Sequence, residues 1–306
     1  MKTAILGPGA MGLLYGGKLS TTMDVTMIGN NPTHIDEINR YGIVIERDGN
    51  TDIFPVSAQL NGTMHDSVDL IILFTKAYLT EDALSANQNL IGKHTFLLSL
   101  QNGMGHEEIL SKFTDQDHVL IGTTAQGSYR KDGHSIVNSG LGETVIGSPW
   151  QESPSSDTLE HLKQIQELFE AAGFPCSVSD NIRYTVWNKL MINASSSVLS
   201  GVLQKPQGYV ATNEWAWSIC QDLIREICHS AACDGILFDE SEQIDRIKNH
   251  LKAAPDGYTS IYADLKNGRK TEVDVISGSV VKTAMRHNLS VPASELIVRL
   301  VHAMES

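Results

Sequence analysis

Three short stretches carry the residue types and spacings that could do chemistry. The first is Ile5-Leu6-Gly7-Pro8-Gly9-Ala10-Met11-Gly12, a GxGxxG that follows a β-branched run and precedes a helical one. In that context Gly7 permits a tight turn, Gly9 lets the backbone approach a pyrophosphate, and Gly12 lets the helix lie close on the strand. The helix amino terminus offers N–H groups and a partial positive charge to phosphates. The second is Trp187-Asn188-Lys189-Leu190-Met191-Ile192-Asn193-Ala194-Ser195-Ser196-Ser197. On a helix Lys189, Asn193 and Ser197 fall at i, i+4 and i+8 and form one polar stripe, a pattern also typical of a solvated face. Here the apolar neighbours Trp187, Leu190, Met191 and Ile192 make Lys189 a candidate proton donor, because desolvation lowers an ammonium pKa. The third is Thr271-Glu272-Val273-Asp274-Val275-Ile276-Ser277-Gly278, which reads as a helix start with acids in its first turn. The macrodipole alone accounts for acids there.

The elements that must position these residues change character along the chain. Strand candidates are Thr3–Leu6, Val25–Ile28, Leu70–Thr75, Thr95–Leu100, Val119–Thr124 and Glu143–Ile146, with helical stretches between them. Several are apolar without alternation, as expected of strands buried on both faces of a parallel sheet. This predicts an α/β fold whose amino-terminal part is a Rossmann doubly wound sheet. A helix is expected over residues 154–172, then a short strand at Cys176–Ser179. Beyond it come only long amphipathic segments: Ile182–Ser200, Glu214–Asp234, Asp239–Ala253, Thr259–Asn267, Thr271–His287 and Ser294–Glu305. The expected division is a dinucleotide-binding domain over 1–178 and an all-helical substrate and catalytic domain over 179–306.

Composition narrows the function class. The chain has 306 residues, 41% hydrophobic and 19% charged, with a formal net charge of -13. That charge disfavours nucleic acid and anionic membranes as partners. No run approaches the ~18 apolar residues of a membrane span, so a cytoplasmic protein with a small-molecule partner is expected, and a homodimer is compatible with the sequence. Cys176, Cys220, Cys228 and Cys233 lack CxxC spacing and read as reduced thiols. His106-Glu107-Glu108 has no second histidine at metal spacing and reads as a solvated helix face; no metal is expected. Ser195–Ser197 lacks the GxSxG elbow of a hydrolase. Trp215 and Trp217 read as core or seam residues.

The second strand ends in Asn30-Asn31. Rossmann domains place there an acid for the ribose of NAD, or an arginine nearby for the phosphate of NADP. An asparagine bonds either group and supplies no charge to choose between them, so both cofactors stay open on these residues.

The order GPGAMG, FTKA, QNGMG, WNKLMIN and TEVDVISG, spread over nearly the whole chain, resembles the ketopantoate reductase (2-dehydropantoate 2-reductase) family. The resemblance implies NADPH as cofactor and reduction of 2-dehydropantoate, a 2-oxo acid, to pantoate for pantothenate biosynthesis. It implies that Lys189 protonates the developing alkoxide and that Glu272 anchors the substrate and completes the acid–base network. Gly7, Pro8, Gly9, Ala10, Met11, Gly12, Asn30, Lys76 and Asn102 would hold the cofactor, with Asn102 at its nicotinamide end. Asn193 and Ser260 would bind substrate, Ser260 at the carboxylate. Two positions depart from the pattern. Ser197 stands where the family has an asparagine for the substrate's terminal hydroxyl, and Asn30 where it has an arginine for the NADP phosphate. These departures suit an alternative, an NAD-dependent D-2-hydroxyacid dehydrogenase of the same superfamily. A non-catalytic dinucleotide sensor is a third reading, disfavoured by the presence of both Lys189 and Glu272.

Overall fold

The computed structural model describes residues 1–150 and 154–305. The chain separates into two compact units, one of residues 1–101 and 106–185, the other of 102–105 and 186–306.

The first unit contains β1 (Lys2–Leu6), α1 (Ala10–Leu19), β2 (Asp24–Gly29), α2 (Pro32–Tyr41), β3 (Ile43–Arg47), β4 (Asn50–Phe54), β5 (Ser57–Leu60) and β6 (Val68–Leu73). It continues with α3 (Thr80–Ala86), β7 (Ile91–Ser99), α4 (His106–Leu110), β8 (Val119–Thr124), β9 (Gly127–Arg130), β10 (Ser135–Gly140), β11 (Thr144–Gly147), α5 (Ser156–Ala171) and β12 (Cys176–Val178). Eight strands form one sheet in the order β12-β11-β8-β7-β6-β1-β2-β5. From β8 to β5 every neighbour is parallel, and β11 runs antiparallel to β8. The order reverses direction at β1, flanked by β2 and β6, which makes the carboxyl ends of β1 and β6 a topological switch point.

The unbroken apolar strands are explained by burial on both faces. Ala4, Leu6, Ile71, Leu73 and Leu97 enter one core cluster, while Ile5, Leu70, Ile72, Phe96 and Leu98 enter another. Five strands escape the apolar pattern. β3, β4, β9 and β10 form a separate four-stranded sheet, and β5 is the edge of the large one. β4 is exposed at four of its five residues, so no buried face marks it in sequence. The two-residue turn Asp48-Gly49 joins it to β3.

The second unit is helical: α6 (Ile182–Ile192), which carries the chain in from the first unit, then α7 (Val198–Leu203), α8 (Gln207–Thr212), α9 (Glu214–Cys233) and α10 (Glu240–Ala253). α11 (Ser260–Lys266), α12 (Ser277–Arg286) and α13 (Pro292–Glu305) complete it. Its core gathers Trp187, Leu190 and Met191 with Leu223, Ile224, Ile227, Val273, Val280, Val301 and others. Two expected helices are corrected. The stretch 182–200 is interrupted by a π turn over Asn193–Ser197. The stretch 271–287 becomes helical only at Ser277, and the residues before it form a turn.

Two smaller expectations also change. His106 is buried at 4% exposure rather than solvated, and Trp215 is 71% exposed rather than in a core. Trp217 is half-buried against the helical core, with the Lys248 ammonium 5.0 Å from its ring. All four cysteines are free. Among the described residues there is no cluster fit to hold a metal, and no helix is long and apolar enough to cross a membrane.

Candidate active site

In the first unit the main chain of the glycine turn makes the candidate dinucleotide site. Gly7 has φ +101°, and a Cβ there would lie 2.6 Å from the Thr75 nitrogen, just past β6. Its N–H donates to the Ile28 carbonyl at 3.0 Å, and its own carbonyl accepts the Gly9 N–H at 2.8 Å. A Cβ on Gly12 would stand 2.0 Å from the Gly7 carbonyl oxygen, so only glycine lets α1 start this close to β1. Gly9 differs: a Cβ there meets nothing within 4 Å. Gly9 is also the N-cap of α1, with no side chain capping the helix. Open space in front of an N-terminus without a side-chain cap fits an anionic group such as a pyrophosphate.

Around this turn lie the carboxyl ends of the neighbouring strands. Asn30, past β2, is exposed. Asn31 is a helix cap: its Oδ1 accepts from the N–H groups of Thr33 and His34 at 3.0 and 3.3 Å. Lys76 is half-buried just past β6 and begins a single 3₁₀ turn. Gln101, past β7, is buried and donates to the Thr75 carbonyl at 2.7 Å and to Thr80 Oγ1 at 2.8 Å.

One cation near this edge is invisible in the sequence pattern. Ser128 Oγ donates to the Ala10 carbonyl at 3.2 Å, which sets β9 beside the start of α1. Two residues on, the half-buried Arg130 donates to the carbonyls of Asp132 and Gly133. His34, in the first turn of α2, is held below its usual pKa by burial and then by the Arg130 charge. The pairing of β10 with β9 and β3 brings Arg130 here across some 100 residues of sequence, which no local periodicity announces.

In the second unit the candidate catalytic residues are side chains, Lys189 on α6 shortly before a π turn and Glu272 on the turn before α12. α6 is fixed at the two residues just before Lys189: the buried Trp187 donates Nε1 to Asp234 Oδ2 at 3.2 Å, and Arg246 Nη2 donates to the Asn188 carbonyl at 3.3 Å. Burial lowers the Lys189 pKa to about 8, from an ordinary 10.5, and the nearby Glu272 carboxylate opposes the shift. The π turn follows directly. Ser195 and Ser196 return their hydroxyls to the Met191 and Ile192 carbonyls at 2.5 and 3.3 Å, satisfying groups that the wider turn releases. The wider turn breaks the i, i+4, i+8 register, so the single stripe is corrected. Lys189 and Asn193 remain half-buried, whereas Ser197 is buried at 7% exposure. Ser197 Oγ accepts from Gln207 Nε2 at 3.4 Å, and its carbonyl accepts from Thr259 Oγ1 at 3.2 Å. Thr259 is the N-cap of α11, and the neighbouring Ser260 is exposed in its first turn.

Glu272 precedes α12 instead of beginning it. Its carbonyl accepts from the N–H groups of Val275 and Ile276, both at 3.1 Å, closing a tight turn. The QNGMG loop belongs to this unit too. Met104 N–H donates to the Val275 carbonyl at 2.9 Å, and Gly103, at φ +94°, leaves no room for a Cβ, which would sit 2.3 Å from the same oxygen. Asn102 is half-buried one residue earlier. Within this unit the fold thus gathers Lys189 with Glu272, Asn102 beside the Glu272 turn, and Ser197 beside Thr259. Gln207, His302 and Glu305 were not singled out in sequence; each is bonded to a residue between 10 and 34 positions away along the chain.

Comparison with known proteins fits this arrangement. Residues 3–150 match the ketopantoate reductase PanE/ApbA family, and residues 181–305 match the C-terminal part of the same family. A 2-dehydropantoate 2-reductase of Pyrococcus horikoshii is 33% identical, covering 100% of this chain and 98% of its own. A ternary structure of D-mandelate dehydrogenase with NADH and anilino(oxo)acetate superposes with a TM-score of 0.92 at 28% identity, covering 100% and 98% of the two chains. A PanE/ApbA family ketopantoate reductase from Ralstonia eutropha gives 0.89 at 28% identity, covering 100% and 98%. With matches along both units and full-length relatives, the chain belongs to the ketopantoate reductase family.

Proposed function

We propose that this protein reduces 2-dehydropantoate to pantoate, the reductive step toward pantothenate, with NADPH as the favoured nicotinamide cofactor. The observation that carries the reading is the half-buried Lys189, its pKa lowered to about 8 beside the Glu272 carboxylate, in a chain of this family. Residues 1–178 act as the dinucleotide domain and 179–306 as the substrate and catalytic domain.

The glycine turn from Gly7 to Gly12 holds the pyrophosphate at the α1 N-terminus, Lys76 lines the cofactor site, and Asn102 meets its nicotinamide end. When bound, the nicotinamide supplies the hydride. Ser260 holds the substrate carboxylate, while Asn193 and Ser197 orient the rest of the molecule and Glu272 anchors it. As negative charge builds on the carbonyl oxygen, the Lys189 ammonium stabilises it and donates its proton there. A lysine near 8 is mostly protonated at neutral pH and still releases a proton readily, which suits a general acid. Glu272 keeps Lys189 cationic against its desolvation. For cofactor choice, Arg130 supplies the charge that Asn30 lacks, and it favours the 2′-phosphate of NADPH.

A second reading is reduction of another branched or aromatic 2-oxo acid with NADH. Ser197 favours it, because a buried serine already bonded to Gln207 is poorly placed to read a substrate hydroxyl. The similarity to D-mandelate dehydrogenase is consistent with it. The deciding experiment is steady-state reduction of 2-dehydropantoate and of phenyl- and branched-chain 2-oxo acids, with NADPH and NADH in parallel. Highest kcat/KM for 2-dehydropantoate with NADPH is the expected result. Nucleotide binding without turnover of any 2-oxo acid would instead support the sensor reading.

A further inference from the structure

The turn that carries Glu272 is held from outside by the last helix. On one side, Thr271, 2% exposed, donates both its N–H and its Oγ1 to Glu305 Oε1, at 2.6 and 2.5 Å. On the other, Asp274 Oδ1 meets His302 Nε2 at 2.9 Å. The two sides are joined on α13, because His302 Nδ1 meets Glu305 Oε2 at 2.9 Å. The path Thr271–Glu305–His302–Asp274 therefore closes a loop of hydrogen bonds around Glu272.

We propose that Glu305 and His302 are positioning residues for Glu272, clamping its turn at both ends. This rests on the reading of Glu272 as part of the active site. A half-buried carboxylate on a short turn has no helix to fix its direction. Two bonds to one residue and one to another, at positions 271 and 274, remove that freedom. A misplacement of about 1 Å at such a group costs up to about a hundredfold in rate.

The clamp is also sensitive to pH. A neutral imidazole has one N–H, yet both His302 nitrogens face carboxylate oxygens, so the closed loop requires the imidazolium. The charged groups bearing on His302 are Glu305 on its own helix and Asp274 on the turn, and the hydrogen bond to Glu305 does most to raise its pKa. With the folded-state value raised, the clamp is complete below about pH 6.5 and is lost as pH rises through that higher value. Catalysis then has two alkaline inflections, one from His302 and one from Lys189.

The test compares the full chain with His302→Gln, Glu305→Gln and Glu272→Gln. It reads kcat and KM for 2-oxo acid reduction across pH 5.5–9.5, amide exchange at residues 271–276, and the His302 ring shifts by NMR. We expect His302→Gln to lose one of the two inflections while keeping the one near the Lys189 value of about 8. Glu305→Gln should lower kcat between about ten- and a hundredfold and raise exchange at Thr271 by at least about tenfold. The imidazole in the parent should titrate above 6.5. A parental pH profile in His302→Gln beside an impaired Glu272→Gln overturns the clamp alone. Full activity in Glu272→Gln overturns the site reading, and the clamp with it. If the substitutions unfold the chain, an imidazole titrating at or below 6.5 in the parent overturns the proposal.

Discussion

In the glycine turn, the groups offered to a ligand belong to the main chain. Gly7 and Gly12 are required by crowding from Thr75 and from the turn's own carbonyl, and Gly9 opens onto free space. Around Lys189 and Glu272 the reverse holds. The functional groups are charged side chains, and they sit where the helix pattern fails, beside a π turn and on the turn before α12. A main-chain site is specified by missing side chains, which the sequence shows directly, and by strand order, which regular apolar runs announce. A side-chain site of this kind depends on partners such as Asp234, Arg246, Glu305 and Met104, which arrive from elsewhere in the chain. The first kind tolerates no added atom; the second tolerates no lost bond.

The largest effect should come from Lys189→Met. It removes the proton donor and should lower kcat for 2-oxo acid reduction by at least about a hundredfold. Stability should move the other way. A lysine depressed to about 8 is charged in the fold at a cost that is present below pH 8 and relieved as pH rises toward the unfolded value near 10.5. Differential scanning calorimetry at pH 7 should therefore show a higher Tm for Lys189→Met, a gap that narrows by pH 10. A lower Tm at pH 7 would mean that Lys189 contributes packing and pairing rather than a desolvated charge.

The next effect separates glycine as ligand site from glycine as fold requirement. Gly9→Val should leave Tm within a few degrees of the parent, because its side chain enters empty space, while weakening dinucleotide binding by at least about tenfold. Gly12→Val should lower Tm and binding together, since the Cβ collides with the Gly7 carbonyl. Unchanged nucleotide affinity in Gly9→Val, measured by fluorescence titration, would remove the pyrophosphate from the α1 N-terminus.

The smallest effect concerns the cation near the end of β2. Arg130→Ala should raise KM for NADPH by about tenfold, as expected for losing a charge-assisted phosphate contact, and leave KM for NADH within about twofold. Equal changes for both cofactors would show that Arg130 only closes its own hairpin through Asp132 and Gly133.

What the sequence discloses follows the same division. The strands β1, β2, β6, β7, β8 and β11 are visible because burial on both faces produces unbroken apolar runs such as Leu70–Phe74. β4 and β9 are short, polar and defined by their partners, so nothing in Asn50–Phe54 or Gly127–Arg130 sets them apart. Lys189 stands out as a charge among Trp187, Leu190 and Met191. The direction of Ser197 does not, because Ser195 and Ser196 bonding back to the helix widens it, and helical spacing assumes a constant period. Glu272 reads as the start of a helix because Val273 and Ile276 keep helical spacing. That the turn ends only at Ser277 depends on bonds from Met104 and Glu305, which are 168 and 33 residues away.

The brief passage of residues 102–105 through the second unit has a consequence for how this architecture can be recombined. The backbone passes between the units three times, so the helical unit is not a cassette that a single splice near residue 180 would transplant. A chimera made there would inherit its QNGMG segment from the other parent, and the Glu272 turn would have to accept a foreign Gly103 and Met104 against Val275. Lineages that exchange the two units should therefore be constrained to exchange these four residues as well, or to match them.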